Sequence, residues 1–177
     1  MASVVGCSGT TSCNLALTNS HRLAKEVQRK FLELKLDIDD DLRDASIKLS
    51  GCPNSCGQHE IATIGFFGGG GRMDKHMYPL YSMSLGGRAD EQAMLGLSCL
   101  RVPAKRVIPV ILKIIEIFKS EKKEGETLNS WIHRVIDGYG SPKIKSLNDI
   151  KEILKPIVSA PSIEQDKDFY ADYGSDG

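Results

Sequence analysis

Apolar residues recur along this chain with two periods, and they divide it into a strand-rich first part and a helical second part. Ser3-Val4-Val5-Gly6 is a short apolar run that meets a turn-rich segment, Cys7 to Ser12, and reads as a short buried strand. From about Asn14 to Leu36, apolar side chains at Leu23, Val27, Phe31 and Leu34 share one face while Lys25, Glu26, Gln28, Arg29 and Lys30 take the other, which predicts an amphipathic helix. The acidic stretch Asp37 to Asp44 reads as a surface loop. Ala45 to Leu49 alternates as a strand that stops at Ser50-Gly51, and Cys52 to Gly57 is then a turn. Ile61 to Phe67, rich in β-branched and aromatic residues, predicts a strand closed by Gly68 to Gly71, a run that reads as a hairpin connection. Tyr78 to Leu85 is its expected partner, and Leu97 to Val102 a fifth strand.

Beyond Pro103 the period is helical. Val107, Ile111, Ile114, Ile115 and Phe118 share one face, with Pro109 near the first turn, where proline is tolerated. Thr127 is the expected cap of a second helix striped by Leu128, Trp131, Ile132, Val135 and Ile136, and Ser146 with Asp149 suits a third that Pro156 ends. From Ser159 onward acids outnumber bases and an extended or mobile tail is expected. The organisation read from this is one domain, residues 1–158, and an acidic tail, residues 159–177.

Composition adds mainly exclusions. The 23 basic and 23 acidic residues cancel, leaving no global field to draw nucleic acid or an anionic membrane. No stretch approaches the roughly 18 consecutive apolar residues of a membrane span, and the first residues lack the basic and apolar regions of a secretory signal. A cytoplasmic protein is the resulting expectation. In that setting five cysteines, an odd number, favour metal binding over a disulfide framework.

Four of the five form two pairs, Cys7-x5-Cys13 and Cys52-x3-Cys56, each placed where a strand gives way to a turn. Free backbone N–H groups at such turns point toward anionic sulfur, and four thiolates suffice for a [4Fe–4S] cubane. Gly6, Gly9, Gly51 and Gly57 flank the cysteines and permit close backbone approach. Two rivals stay open: four small buried side chains, and structural zinc, whose knuckles usually run from Cys-x2-Cys to Cys-x4-Cys.

The segments Cys7-Ser-Gly-Thr-Thr-Ser-Cys13-Asn-Leu-Ala-Leu and Ser50-Gly-Cys52-Pro-Asn-Ser-Cys56-Gly-Gln-His resemble the two signatures of the nitrite and sulfite reductase haemoprotein family. The likeness continues through Ile64 to Gly68, Leu85 to Arg88, Val102 to Ala104, Gly125 to Thr127 and Asp168 to Gly174. The resemblance implies an α/β (α+β) fold, a mixed sheet with helices packed against it. It implies that Cys7, Cys13, Cys52 and Cys56 ligate a [4Fe–4S] cluster, and that Cys56, the one catalytic residue it assigns, bridges to the iron of sirohaem. Ser50 and Asn54 would lie against the tetrapyrrole. The reaction implied is the six-electron reduction of sulfite to sulfide or nitrite to ammonia, with ferredoxin or a flavoprotein as donor.

Family enzymes are longer, and their substrate-binding arginines and lysines lie mostly in an N-terminal half, so the chain is expected either to complete a reductase with a separate N-terminal half or to be a truncated version of one. A non-catalytic [4Fe–4S] electron-transfer module is the alternative. Arg72, Lys75 and Arg88 read as solvated loop charges, His59 as either a cofactor neighbour or a hydrogen-bonded histidine, and Cys99 as packing. His21, His76 and His133 show no metal-ligand spacing, and the glycine run lacks the Lys-Ser or Lys-Thr of a phosphate loop.

Overall fold

A computed structural model describes residues 2–174 of the chain. Five strands form one sheet in sequence order: β1 (Ser3–Gly6), β2 (Ser46–Ser50), β3 (Ile64–Met73), β4 (His76–Leu85) and β5 (Leu97–Pro103). The first three run parallel and the last three antiparallel. Among the described residues four helices accompany them: α1 (Ser20–Glu33), α2 (Val107–Glu121), α3 (Leu128–Ile136) and α4 (Leu147–Leu154). The mixed α/β sheet implied by the sequence resemblance is the architecture observed.

Strand alternation decides where the core lies. Ile47, Leu49, Ile64, Phe66, Tyr81, Met83 and Leu85 occupy one face, all at most 1% exposed, and join the apolar stripes of all four helices in a single cluster. The intervening residues Lys48, Gly65, Phe67, Ser82 and Ser84 face the other way. Trp131 and Phe118 meet at 5.8 Å between α3 and α2, sealing the helical layer. Among the described residues no helix is long and apolar enough to cross a membrane.

Most expected elements are present, with instructive shifts. The first helix starts at Ser20 rather than Asn14, because Asn19 caps it by accepting from the Arg22 N–H at 3.2 Å and because the preceding residues are used elsewhere. Leu17 and Thr18 both donate backbone N–H groups to Gly51 O, at 2.8 and 3.2 Å. β3 starts at Ile64 because His59–Ile61 is a short 3-10 turn.

The glycine run is a strand interior, not a hairpin connection: Gly68 pairs with Tyr81 and Gly71 with Tyr78, and the hairpin turns at Asp74 and Lys75. Its glycines serve close approach. A Cβ on Gly68 would overlap Thr18 Oγ1 and lie 2.5 Å from Gly51 O.

The helix starts follow the sequence more closely. Thr127 Oγ1 accepts from Ser130 N at 3.4 Å, and Ser146 with Asp149 forms a capping box. Cys99 has no residue opposite it, since Ser98 pairs with Ser84 and Leu100 with Met83, and its side chain is 8% exposed. The acidic tail is packed rather than extended as far as Gly174. Phe169 is 2% exposed, with its ring 5.8 Å from that of Tyr78, and Asp168 pairs with Lys105 at 2.9 Å.

Gly68→Ala is expected to destabilise the fold by about 1–3 kcal/mol, the usual cost of forcing atoms into a filled site. Urea unfolding should show a lower midpoint with an unchanged slope.

Candidate cofactor site

β1 and β2 pair in parallel with Gly6 opposite Leu49, so the segments leaving their carboxyl ends emerge side by side. In open α/β sheets this is where ligands bind. Cys7 is the first residue past β1, and its N–H continues the ladder by donating to Leu49 O at 2.9 Å. Cys52 follows β2 by one residue, across Gly51.

The two loops touch through backbone. Gly51 N donates to Cys7 Sγ at 3.1 Å, and a Cβ on Gly51 would lie 2.9 Å from Gly9 Cα and 2.9 Å from Thr18 O. Only glycine permits that approach. Ser20, at the start of α1, places its Oγ 3.1 Å from Cys7 Sγ and donates to Cys7 O at 3.1 Å. The first loop closes on itself through Cys13 N, which donates to Gly9 O at 3.0 Å, with Gly9 at φ +54°.

The second loop is held by a buried chain of polar groups. Gly57 N donates to Ser50 Oγ at 3.1 Å, and Ser50 Oγ lies 3.0 Å from His59 Nδ1. Ser50 is 1% and His59 4% exposed, and the His59 ring packs 4.9 Å from Phe67. Burial holds the imidazole below its ordinary pKa, so it is neutral near pH 7. Ser50 Oγ thus accepts from Gly57 N and shares a hydrogen bond with Nδ1 of the neutral ring. On either side of Cys56, Ser55 (φ +57°) and Gln58 (φ +56°) adopt left-handed backbone. Such positions cost of order 1–3 kcal/mol each and persist where surrounding contacts enforce them.

Cys52 is buried, Cys7 and Cys13 are half-buried, and Cys56 is exposed; none is in a disulfide. Asn54 is exposed on the same loop as Cys56. Among the described residues, no three histidine, cysteine, aspartate or glutamate side chains are gathered for a single metal ion. The donor set fits a cubane in chemistry: four thiols on two abutting loops, with a backbone N–H already directed at one sulfur.

The other sequence candidates fall away from the site or into the scaffold. Arg88 pairs with Asp90 at 2.6 Å, and Arg72, near the end of β3, donates to Asp74 O in the hairpin turn at 2.9 Å. Burial pushes the Cys99 thiol up to about 11, the state of an inert packing residue. Sequence reasoning missed Ser20, Thr18 and Asn19, which position the first loop. The Asn-Ser pair just before the helical stripe was the available signal, obscured because the stripe could be extended back to Asn14.

An open α/β sheet carrying two cysteine loops at its parallel carboxyl ends defines a class of cofactor-binding domain. Residues 1–147 match the family model of the nitrite and sulphite reductase 4Fe-4S domain. The chain therefore belongs to that family, whose members are oxidoreductases. It is 33% identical over 129 residues to an assimilatory ferredoxin-dependent nitrite reductase of Haloferax mediterranei, covering 72% of this chain and 22% of that protein. To a ferredoxin–nitrite reductase of Synechococcus elongatus it is 34% identical over 121 residues, 67% of this chain and 23% of the other. The NirA protein of Mycobacterium tuberculosis shares the fold, with a TM-score of 0.63 at 24% identity over 82% of this chain and 26% of that one. The chain thus spans less than a quarter of the length of these two curated relatives.

Ser50→Ala should cost about 1–3 kcal/mol in urea unfolding, because the buried Gly57 N–H and the His59 ring both lose a partner. A histidine whose folded pKa lies below the ordinary 6.5 weakens the fold as pH falls through that value, since the unfolded chain takes up the proton first. Wild-type stability should therefore drop between about pH 7.5 and about pH 5.5 by more than that of His59→Asn, which keeps a hydrogen-bonding group but does not titrate.

Proposed function

We propose that this chain is the cluster- and sirohaem-binding part of a sulfite or nitrite reductase. Cys7, Cys13, Cys52 and Cys56 would hold a [4Fe–4S] cluster, and Cys56 would also bridge to the sirohaem iron. The observation that carries this reading is the backbone contact between the two cysteine loops, with Gly51 N–H on Cys7 Sγ, inside a family match that spans residues 1–147.

The gradation of exposure supports the bridging role. Cys52 is buried, whereas Cys56 stands exposed beside the exposed Asn54, which offers a tetrapyrrole an open side from which to meet the sulfur. Ser50 would act differently from Asn54. Its hydroxyl is turned inward to Gly57 and His59, so its part is to fix the loop on which Cys56 sits. Hydrogen bonds to cluster sulfurs help set reduction potential, and the Gly51 N–H supplies one to Cys7. When bound, the coupled cofactors would supply electrons for the six-electron reduction of sulfite to sulfide or nitrite to ammonia.

Relatives named for ferredoxin make ferredoxin the first donor to try, with a flavoprotein as the other. Reduction of an oxyanion needs cationic donors, and these would come from a further part of a reductase, because Arg72 and Arg88 are engaged by their near neighbours Asp74 and Asp90. That engagement also favours a second reading, a [4Fe–4S] electron-transfer module without catalysis.

Anaerobic protein should be brown and carry about four irons and about four labile sulfides per chain. Serine at any of Cys7, Cys13, Cys52 or Cys56 should abolish the cluster, whereas Cys99→Ser should retain it; stoichiometric zinc without sulfide would overturn the assignment. Sirohaem retention and viologen-driven turnover, with and without the N-terminal half of a related reductase, separate the two readings. Turnover only with the added half supports the reductase part, and no haem binding in either case supports the electron-transfer module.

A further inference from the structure

The family match ends at residue 147, yet the chain beyond it returns to the first cysteine loop. Asp172 Oδ2 accepts a hydrogen bond from the backbone N–H of Asn19 at 2.6 Å, and Asp172 Oδ1 accepts one from Tyr173 N at 2.8 Å. Asn19, 8% exposed, is the cap of α1. Its side-chain Oδ1 accepts from Arg22 N at 3.2 Å and from Thr11 Oγ1 at 3.0 Å. Thr11 lies between Cys7 and Cys13. A single residue therefore carries the tail on its amide and the cysteine loop on its side chain.

The tail is anchored on both sides of this contact. Upstream, Phe169 is inserted against Tyr78, with the Arg106 guanidinium 5.4 Å from its ring centre, and Asp168 pairs with Lys105. Downstream, the Lys105 ammonium sits 5.1 Å from the Tyr173 ring centre, and Gly174, at φ +72°, packs against Arg22. The Asp172 carboxylate meets the positive end of the α1 dipole, where negative charge is favoured. Removing it leaves a buried N–H without its acceptor, at the residue that holds Thr11.

We propose that Phe169–Gly174 is a latch on the Cys7–Cys13 loop, with Asp172 the positioning residue that keeps Cys7 and Cys13 in the arrangement a cluster takes up. The inference rests on the cluster reading above, and its test is built so that the two fail separately. Full-length wild type, Asp172→Ala and Asp172→Asn are first treated iron-free with iodoacetamide, and the alkylation rate of each cysteine is followed by mass spectrometry. In Asp172→Ala, Cys13 should react roughly tenfold faster, the scale expected when one buried hydrogen bond is lost, while Cys56 and Cys99 keep their wild-type rates. Asp172→Asn retains a side-chain oxygen for the Asn19 amide and should restore the slow rate. After reconstitution with ferrous iron and sulfide, Asp172→Ala should release iron to a chelator faster than wild type, and Asp172→Asn should match wild type. Equal Cys13 alkylation in all three proteins would overturn the latch, as would an equal rise at all five cysteines, which reports general loosening. A wild-type chain that takes up no iron would defeat the cluster reading, and the alkylation rates would still judge the latch.

Discussion

The parallel pairing of β1 with β2 is the constraint on which the rest of this structure depends. With Gly6 opposite Leu49, the ladder passes directly into the site, because Cys7 N donates to Leu49 O and Gly51 N then donates to Cys7 Sγ. A slip of one residue would turn Ile47 and Leu49 out of the core and separate the two cysteine loops at the same time. Core burial and the placement of the two cysteine loops are therefore specified by one register. The buried face enforces it far more strongly than any single contact in the loops.

Two devices with different physics finish the site. The second loop is pinned internally, by the Gly57–Ser50–His59 chain under Phe67, and it accepts left-handed backbone at Ser55 and Gln58 around Cys56. The first loop has no such internal buried chain among the contacts described. It is secured from outside, through Ser20 and Asn19 at the start of α1. A loop tied to a helix start takes on the order of that helix, so the capping of α1 and the geometry of Cys7 and Cys13 are one problem.

Much of this was legible in the residues. Five strands, the helical second part, the caps at Thr127 and Ser146, and the packing role of Cys99 follow from periodicity and local hydrogen-bonding chemistry. What escaped were features in which tertiary contact overrides local preference. Gly68 to Gly71 looks like a turn because glycine tolerates turns, but here the missing side chain of Gly68 admits Thr18 and Gly51 against a strand. Asn14 to Leu17 scan as helix because they precede a strong stripe, yet the amides of Leu17 and Thr18 are needed by Gly51 O. The acidic tail reads as solvated by composition, and the aromatic ring of Phe169 is what folds it back. Cysteine spacing marked the candidate site; the serines, threonine and asparagine that shape it carry no distinctive spacing.

The order of strand pairing also sets an order of events in time. β3 and β4 close through a two-residue turn at Asp74 and Lys75, a local contact that forms quickly, whereas Ser3 must find Ser46 across the whole of α1. The cysteine loops abut only once that distant pairing is made. As the chain is synthesised, Cys7 and Cys13 thus wait as unpartnered thiols until β2 and the loop after it have emerged. That interval is the stretch of biogenesis in which stray oxidants or soft metal ions compete for them.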